Sequence, residues 1–207
     1  MIAVIDYGVG NLFSLKSSLK AIGTEPVVTR DADVIHKADH IILPGVGAFG
    51  DAVRKLRETG MFEVVKAEAD NGKPMLGICV GMQLLFEKDL EFGEHEGLGL
   101  ISGTVDAIEP RISNDLDVPH MGWNALSYQK PSPIYNGIAE GSYVYFVHSY
   151  AAFGCEADTT AVTNYGISLT ASVQKANVFG TQFHPEKSGE VGLRILKNFC
   201  SLKEEEL

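Results

Sequence analysis

Cysteine is scarce in this chain: Cys79, Cys155 and Cys200 are three, an odd number, and lie far apart. That spacing supports neither a disulfide framework nor a zinc cluster. Long apolar runs are missing as well, and nothing approaches the ~18 consecutive apolar residues of a membrane-spanning helix. The opening Met1-Ile2-Ala3-Val4-Ile5-Asp6 lacks the basic region and small-residue cleavage site of a secretory leader. A reducing, cytoplasmic location is expected. Positive charge is in deficit, since 17 Lys+Arg against 27 Asp+Glu leave a net charge of -10. Such a balance argues against a protein that grips a nucleic-acid backbone, while leaving small anionic substrates open. What remains is a globular composition, 45% hydrophobic and 21% charged over 207 residues, which excludes disorder and fibrous structure. A chain of this length buries about 70% of its unfolded surface, enough for one core without cross-links.

Apolar periodicity alternates along the first half. Ile2 to Ile5 is a short apolar run ending in Asp6-Tyr7-Gly8, the profile of a buried parallel strand. Leu12, Leu15, Leu19 and Ile22 follow at helical spacing, with Gly23 placed to end the helix. Glu25 to Thr29 and His40 to Leu43 read as further strands, the second broken by Pro44-Gly45-Val46-Gly47. Helix is expected through Val53, Leu56 and Met61 to Val65, strand over Pro74 to Ile78, and helix again over Met82 to Phe86. This alternation predicts a parallel sheet covered on both faces. The second half is β-rich: strands are expected at Gly103 to Glu109, Trp123 to Tyr128, Ser142 to Tyr150, Thr159 to Thr163, Ile167 to Gln174 and Asn177 to Phe183. Asn164-Tyr165-Gly166 reads as a tight turn, and Val191 to Phe199 as a last helix before the charged tail Lys203-Glu204-Glu205-Glu206. No linker or repeat divides the chain, so one domain is expected.

Two motifs carry chemistry. Gly77-Ile78-Cys79-Val80-Gly81 lies between an apolar strand and a helix. A glycine on either side of a nucleophile permits a sharp turn and close backbone approach, and a helix N-terminus favours thiolate over thiol. The Val80 N–H then points at a developing oxyanion. Taken alone, the pentapeptide fits a buried structural cysteine equally well. The second motif is Phe183-His184-Pro185-Glu186. In extended backbone, residues i and i+2 face one side, so His184 and Glu186 share a target, and Pro185 stiffens the spacing. By itself His-x-Glu also fits a solvated strand end. Together, the motifs compose a Cys-His-Glu arrangement in which a base activates a thiol and a carboxylate orients the base.

The elbow, extended to Met82-Gln83, and the segment Gly180-Thr181-Gln182-Phe183-His184-Pro185-Glu186 resemble the class I, triad-type glutamine amidotransferases. Asp6-Tyr7-Gly8-Val9-Gly10-Asn11-Leu12, Pro44-Gly45-Val46-Gly47-Ala48-Phe49 and His184-Pro185-Glu186-Lys187-Ser188 are similar, more narrowly, to the glutaminase subunits of imidazole glycerol phosphate synthase. The resemblance implies a flavodoxin-like α/β fold with a mostly parallel central sheet, helices on both faces and a β-rich second half, residues 1–207 forming a single amidotransferase domain. It implies catalysis by Cys79, His184 and Glu186, and an oxyanion hole from Val80 and the Val46–Gly47 backbone. Gln83, Glu91, His148, Ser149 and Tyr150 are implied to bind glutamine. Asn11, Met121, Trp123 and Lys187 are implied to face a (β/α)8-barrel cyclase subunit, into which ammonia passes for histidine biosynthesis. No metal or organic cofactor is implied.

Several of these positions carry plainer readings. Glu87, Asp89, Glu91, Glu94 and Glu96 also read as a solvated charged face, Trp123 as a core aromatic, and His148-Ser149-Tyr150 as a strand end. His36, His40, His95 and His120 are assigned to structure or surface, and Cys155 and Cys200 to packing. The alternatives in function are a subunit feeding anthranilate, nucleotide or pyridoxal phosphate synthesis, a γ-glutamyl hydrolase or peptidase, and a non-catalytic regulatory subunit on the same fold.

Overall fold

The computed structural model describes residues 1–113 and 115–203; the expected acidic tail, Glu204 to Glu206, lies outside them. Among these residues the strands are β1 (Ile2–Ile5), β2 (Pro26–Thr29), β3 (His40–Gly45), β4 (Met75–Cys79), β5 (Phe86–Asp89), β6 (His95–Glu96), β7 (Ile101–Ala107), β8 (His120–Ala125), β9 (Ser127–Tyr128), β10 (Tyr143–His148), β11 (Tyr150–Phe153), β12 (Thr159–Tyr165), β13 (Ile167–Lys175) and β14 (Val178–Thr181). The α-helices are α1 (Leu12–Ala21), α2 (Ala32–His36), α3 (Phe49–Glu58), α4 (Met61–Asp70), α5 (Val80–Gln83) and α6 (Gly189–Cys200).

The central sheet has eight strands in the order β2-β1-β3-β4-β14-β13-β12-β9. Its first five strands run parallel and the remaining pairings are antiparallel. Every residue of β1, β3, β4 and β14 is buried, which is why these strands read as unbroken apolar runs rather than alternating ones. From β1 the chain moves outward to β2 by way of α1, then back across the sheet to β3 and β4. Right-handed crossovers therefore put α1 on one face and α2, α3 and α4 on the other. Helix α6 packs beside α1. A two-stranded sheet, β10-β8, and a four-stranded one, β11-β7-β5-β6, complete the β-rich half. One hydrophobic core joins the two halves through Leu15, Ile42, Phe86, Phe146 and Phe179.

Four local expectations need correction. Strand β3 does not stop before Pro44 but runs through it to Gly45, opposite Cys79. Pairing with β1 has ended by Ile42, so the missing Pro44 N–H interrupts no ladder. The helix expected over Met82 to Phe86 is a single turn, Val80–Gln83, after which Phe86 enters β5. Met82, Leu84, Leu85 and Phe86 are all fully buried, and a run buried on every side has no period to separate helix from strand. The acidic segment after Phe86 is a solvated face only in part: Glu87, Glu94 and Glu96 are exposed, but the segment forms β5 and β6, its Asp89 is fully buried and Glu91 is half-buried. The continuous strands expected at Trp123 to Tyr128 and Ser142 to Tyr150 each split between two sheets, and the second split leaves Ser149 between β10 and β11. Helix α2 was not anticipated, although Asp31 caps it by accepting from the amides of Asp33 and Val34.

Candidate active site

The site lies at the carboxyl ends of three adjacent parallel strands, where open α/β sheets bind ligands. Central β4 delivers Cys79. Its neighbour β3 delivers the Pro44–Gly47 loop through the Gly45–Cys79 register, and β14, pairing Thr181 with Ile78, delivers His184. The turn at Cys79 is left-handed, with φ +55° and ψ -113° in a non-glycine residue. Strain of this kind persists only where surrounding structure enforces it. The flanking glycines show how: a Cβ at Gly77 would lie 2.5 Å from the Gly81 carbonyl oxygen, and one at Gly81 only 1.9 Å from that of Leu43. Both positions require glycine for space. Val80 begins α5 directly, so its amide is the first of that helix.

His184 is almost completely buried, and its Nδ1 lies 2.7 Å from Glu186 Oε1. His184 is held by its backbone too: its amide donates to the Tyr145 carbonyl at 2.9 Å, and its carbonyl accepts from Ser188 Oγ at 2.6 Å. Burial opposes charge on this ring, but hydrogen bonds with Cys79 and Glu186 outweigh burial and lift its pKa to about 9. The imidazolium is thus favoured beside the sulfur. Gln182 had not been singled out as a site residue, yet it is fully buried and its Nε2 donates to Cys79 Sγ at 3.8 Å. Its Oε1 accepts from Gln83 Nε2 at 3.1 Å. The signal was available, since Gln182 and His184 stand at i and i+2 beyond one strand.

A cavity of about 360 Å³ opens over the sulfur, lined by Val46, Gly47, Cys79, Val80, Gln83, Glu91, His148, Ser149, Tyr150, His184 and Lys187, together with Pro119 and Val147. Every expected oxyanion and glutamine-binding residue reaches this wall, and Glu186 stands behind it as the partner of His184. Gln83 contributes less freely than expected, because its amide nitrogen already serves Gln182 and the Tyr150 carbonyl. His148 is pushed down to about 4 by burial and by the neighbouring His120 and His184, so its ring is neutral. Its Nδ1 lies 2.8 Å from the Tyr150 carbonyl and its Nε2 3.0 Å from His120. His120, stacked between Phe146 and Tyr165, is the structural histidine expected. Tyr7, also overlooked, supports the loop from below by donating to the Pro44 carbonyl at 2.7 Å.

Of the expected interface positions, only Lys187 lines this cavity. Met121 and Trp123 are 65% and 52% exposed, so Trp123 is not a core aromatic. Trp123 meets Tyr145 edge-on at 6.0 Å, and Lys187 Nζ lies 5.7 Å from the same ring. Asn11 caps α1 by accepting from the Ser14 amide. Cys155 is buried among Thr159 and Thr170, consistent with packing. No group of side chains suited to a metal ion occurs among the described residues.

Residues 3–202 match the family described as glutamine amidotransferase class-I. The chain is 53% identical, over 96% of its length and 97% of the relative's, to imidazole glycerol phosphate synthase subunit HisH of Caldanaerobacter subterraneus subsp. tengcongensis. It is 50% identical to the HisH subunit of Oceanobacillus iheyensis, over 96% and 98% of the two chains. Among solved structures, a glutamine amidotransferase aligns with TM-score 0.74 at 18% identity, over 97% of this chain and 100% of that one. PurLQS from Thermotoga maritima aligns with TM-score 0.73 at 21% identity, covering 96% of each chain. At such identities these structures speak for the fold alone. Family match and close relatives together place the chain among the class I glutamine amidotransferases and, within them, in the HisH subunits of imidazole glycerol phosphate synthase.

Proposed function

We propose that this chain hydrolyses glutamine through Cys79, His184 and Glu186 and delivers the ammonia to a (β/α)8-barrel cyclase subunit. The observation that carries the reading is the strained elbow holding Cys79 against His184, with Glu186 2.7 Å behind the imidazole. Cys79 sulfur attacks the side-chain amide carbon of glutamine. Charge gathers on the amide oxygen, where the Val80 amide and the Val46–Gly47 backbone receive it; one such donor is typically worth about a hundredfold or more in rate. His184 gives its proton to the departing nitrogen, the C–N bond breaks, and ammonia leaves a glutamyl thioester. His184 then takes a proton from water, which attacks the thioester and releases glutamate and the Cys79 thiolate.

Glu91 and the His148–Tyr150 segment hold the amino-acid end of the substrate in this reading. The relatives are named as subunits of a synthase, which supports a partner subunit. Docking is assigned to the face bearing Asn11, Met121, Trp123 and Lys187. Ammonia passes directly because free ammonia is mostly protonated near neutral pH and then no nucleophile. The cyclase product pair is imidazole glycerol phosphate and the aminoimidazole carboxamide ribotide, placing the reaction in histidine biosynthesis and the protein in the cytoplasm. Among the described residues no helix is long and apolar enough to cross a membrane. The large hydrophobic core joining both halves supports residues 1–207 acting as one amidotransferase domain. The test is glutamate release from glutamine by the chain alone, then with the barrel subunit and its nucleotide substrate. Turnover that rises sharply in the complete mixture is expected, and silence in both mixtures would sink the assignment.

A further inference from the structure

The loop assigned to the oxyanion is fastened firmly at one end. There Gly45 pairs with Cys79 across the β3–β4 ladder, and Tyr7 holds the Pro44 carbonyl. At the other end α3 begins at Phe49, and its cap residue Ala48 has no side chain able to accept from the helix amides. That function is supplied from 42 residues away, where Glu91 Oε2 accepts from the Phe49 amide at 2.6 Å. A carboxylate suits this place, because the first amides of a helix lack internal partners and carry the positive end of its dipole. Glu91 is itself anchored: its amide donates to Asp89 Oδ1 at 2.6 Å, and Asp89 is fully buried at the end of β5. Only Val46, Gly47 and Ala48 lie between the two fastenings, and Gly47 takes a φ of +87°.

The same carboxylate also lines the cavity over Cys79. Its Oε1 makes no hydrogen bond among the described residues, whereas Oε2 is engaged with Phe49. We propose that Glu91 is a positioning residue for the oxyanion loop, holding the Phe49 amide with one oxygen and facing the bound amino acid with the other. An ammonium group on Oε1 immobilises the side chain that fastens the loop, so that filling the cavity and setting the Val46–Gly47 backbone become one linked event. This rests on the proposed glutaminase reading for its consequence in turnover, but not for the contact itself.

Two substitutions separate the roles. Glu91→Gln removes the charge that meets an ammonium group but retains an oxygen able to accept from Phe49. Glu91→Ala removes both. In the full chain with its synthase partner, both variants are expected to raise KM for glutamine, whereas only Glu91→Ala lowers kcat, by about tenfold or more. Hydrogen exchange at the Phe49 amide, followed in the full chain, is expected to quicken about five- to tenfold in Glu91→Ala and stay near wild type in Glu91→Gln. Equal kcat in the two variants, or unchanged exchange in Glu91→Ala, overturns the proposal. A wild-type protein that releases no glutamate sinks the glutaminase reading instead, and the exchange result still decides the positioning role.

Discussion

His184 sits where three demands meet: it must touch a sulfur, stay oriented, and carry a charge in a buried place. Glu186 meets the last two, and its substitution measures them. Glu186→Gln keeps the volume but removes the carboxylate that favours the imidazolium and specifies the ring's orientation. We expect kcat for glutamine hydrolysis to fall by about 10²- to 10⁴-fold, as when the corresponding carboxylate of a hydrolase triad is made neutral. The fold itself should survive the change. Alkylation of Cys79 followed against pH gives the sign: in wild type the His184 imidazolium persists until pH rises through about 9, and in Glu186→Gln this upper limb moves to lower pH. An unmoved limb would show that Glu186 does not set the charge on His184. Residues of this kind were legible in the sequence because their chemistry depends on short local spacing, as in Gly77-x-Cys79-x-Gly81 and His184-x-Glu186. Gln182 and Tyr7 were not singled out. Their roles, reaching Sγ and holding the Pro44 carbonyl, arise only when β14, β4 and β3 lie side by side.

Elements were legible where one face, or every face, was unambiguous. Strands β1, β4 and β14 announce themselves as short apolar runs, and the crossovers follow from them. Failure came at Leu84-Leu85-Phe86, buried all round, and in the acidic stretch after it, where charge suggested solvent while the chain turned Asp89 inward. That inward turn has a thermodynamic consequence. Desolvation pushes the Asp89 carboxyl up to about 6, and its Oδ2 is buried without a partner. An unfolded aspartate titrates near 3.9. The folded form therefore binds the proton more tightly, so this group's contribution to stability is fully present below about pH 4 and is lost as pH rises through about 6. The loss is roughly 2 to 3 kcal/mol at most. Asp89→Asn keeps an acceptor for the Glu91 amide and places a neutral nitrogen where the orphan oxygen stood. We expect the variant to melt higher than wild type at pH 7.5 and to match it near pH 4. Thermal unfolding at both values checks this, and an identical decline in the two proteins between them would refute the titration assigned to Asp89.

At the scale of the whole molecule, one strand connects the proposed docking residues Trp123 and Lys187 with His184. Tyr145 of β10 carries Trp123 against its ring edge and Lys187 beside its ring, and its carbonyl accepts the His184 amide. In the proposed complex a partner seated on Trp123 bears on the backbone that holds His184, which gives docking a physical route to turnover. Large aromatics are the side chains most often found at the energetic centre of interfaces, and Trp123 is half exposed on its own chain. Trp123→Ala is therefore expected to weaken binding to the proposed barrel subunit by about tenfold or more, while unfolding of the isolated chain shifts by about 2 °C or less, as for an ordinary surface change. Alkylation of Cys79 by an electrophilic glutamine analogue should proceed at the wild-type rate in the isolated variant, because no triad contact is touched. Titration calorimetry against the barrel subunit and the alkylation rate read these two outcomes separately. Unchanged affinity, with the isolated chain markedly destabilised, would return Trp123 to a packing role and move the docking surface elsewhere on the molecule.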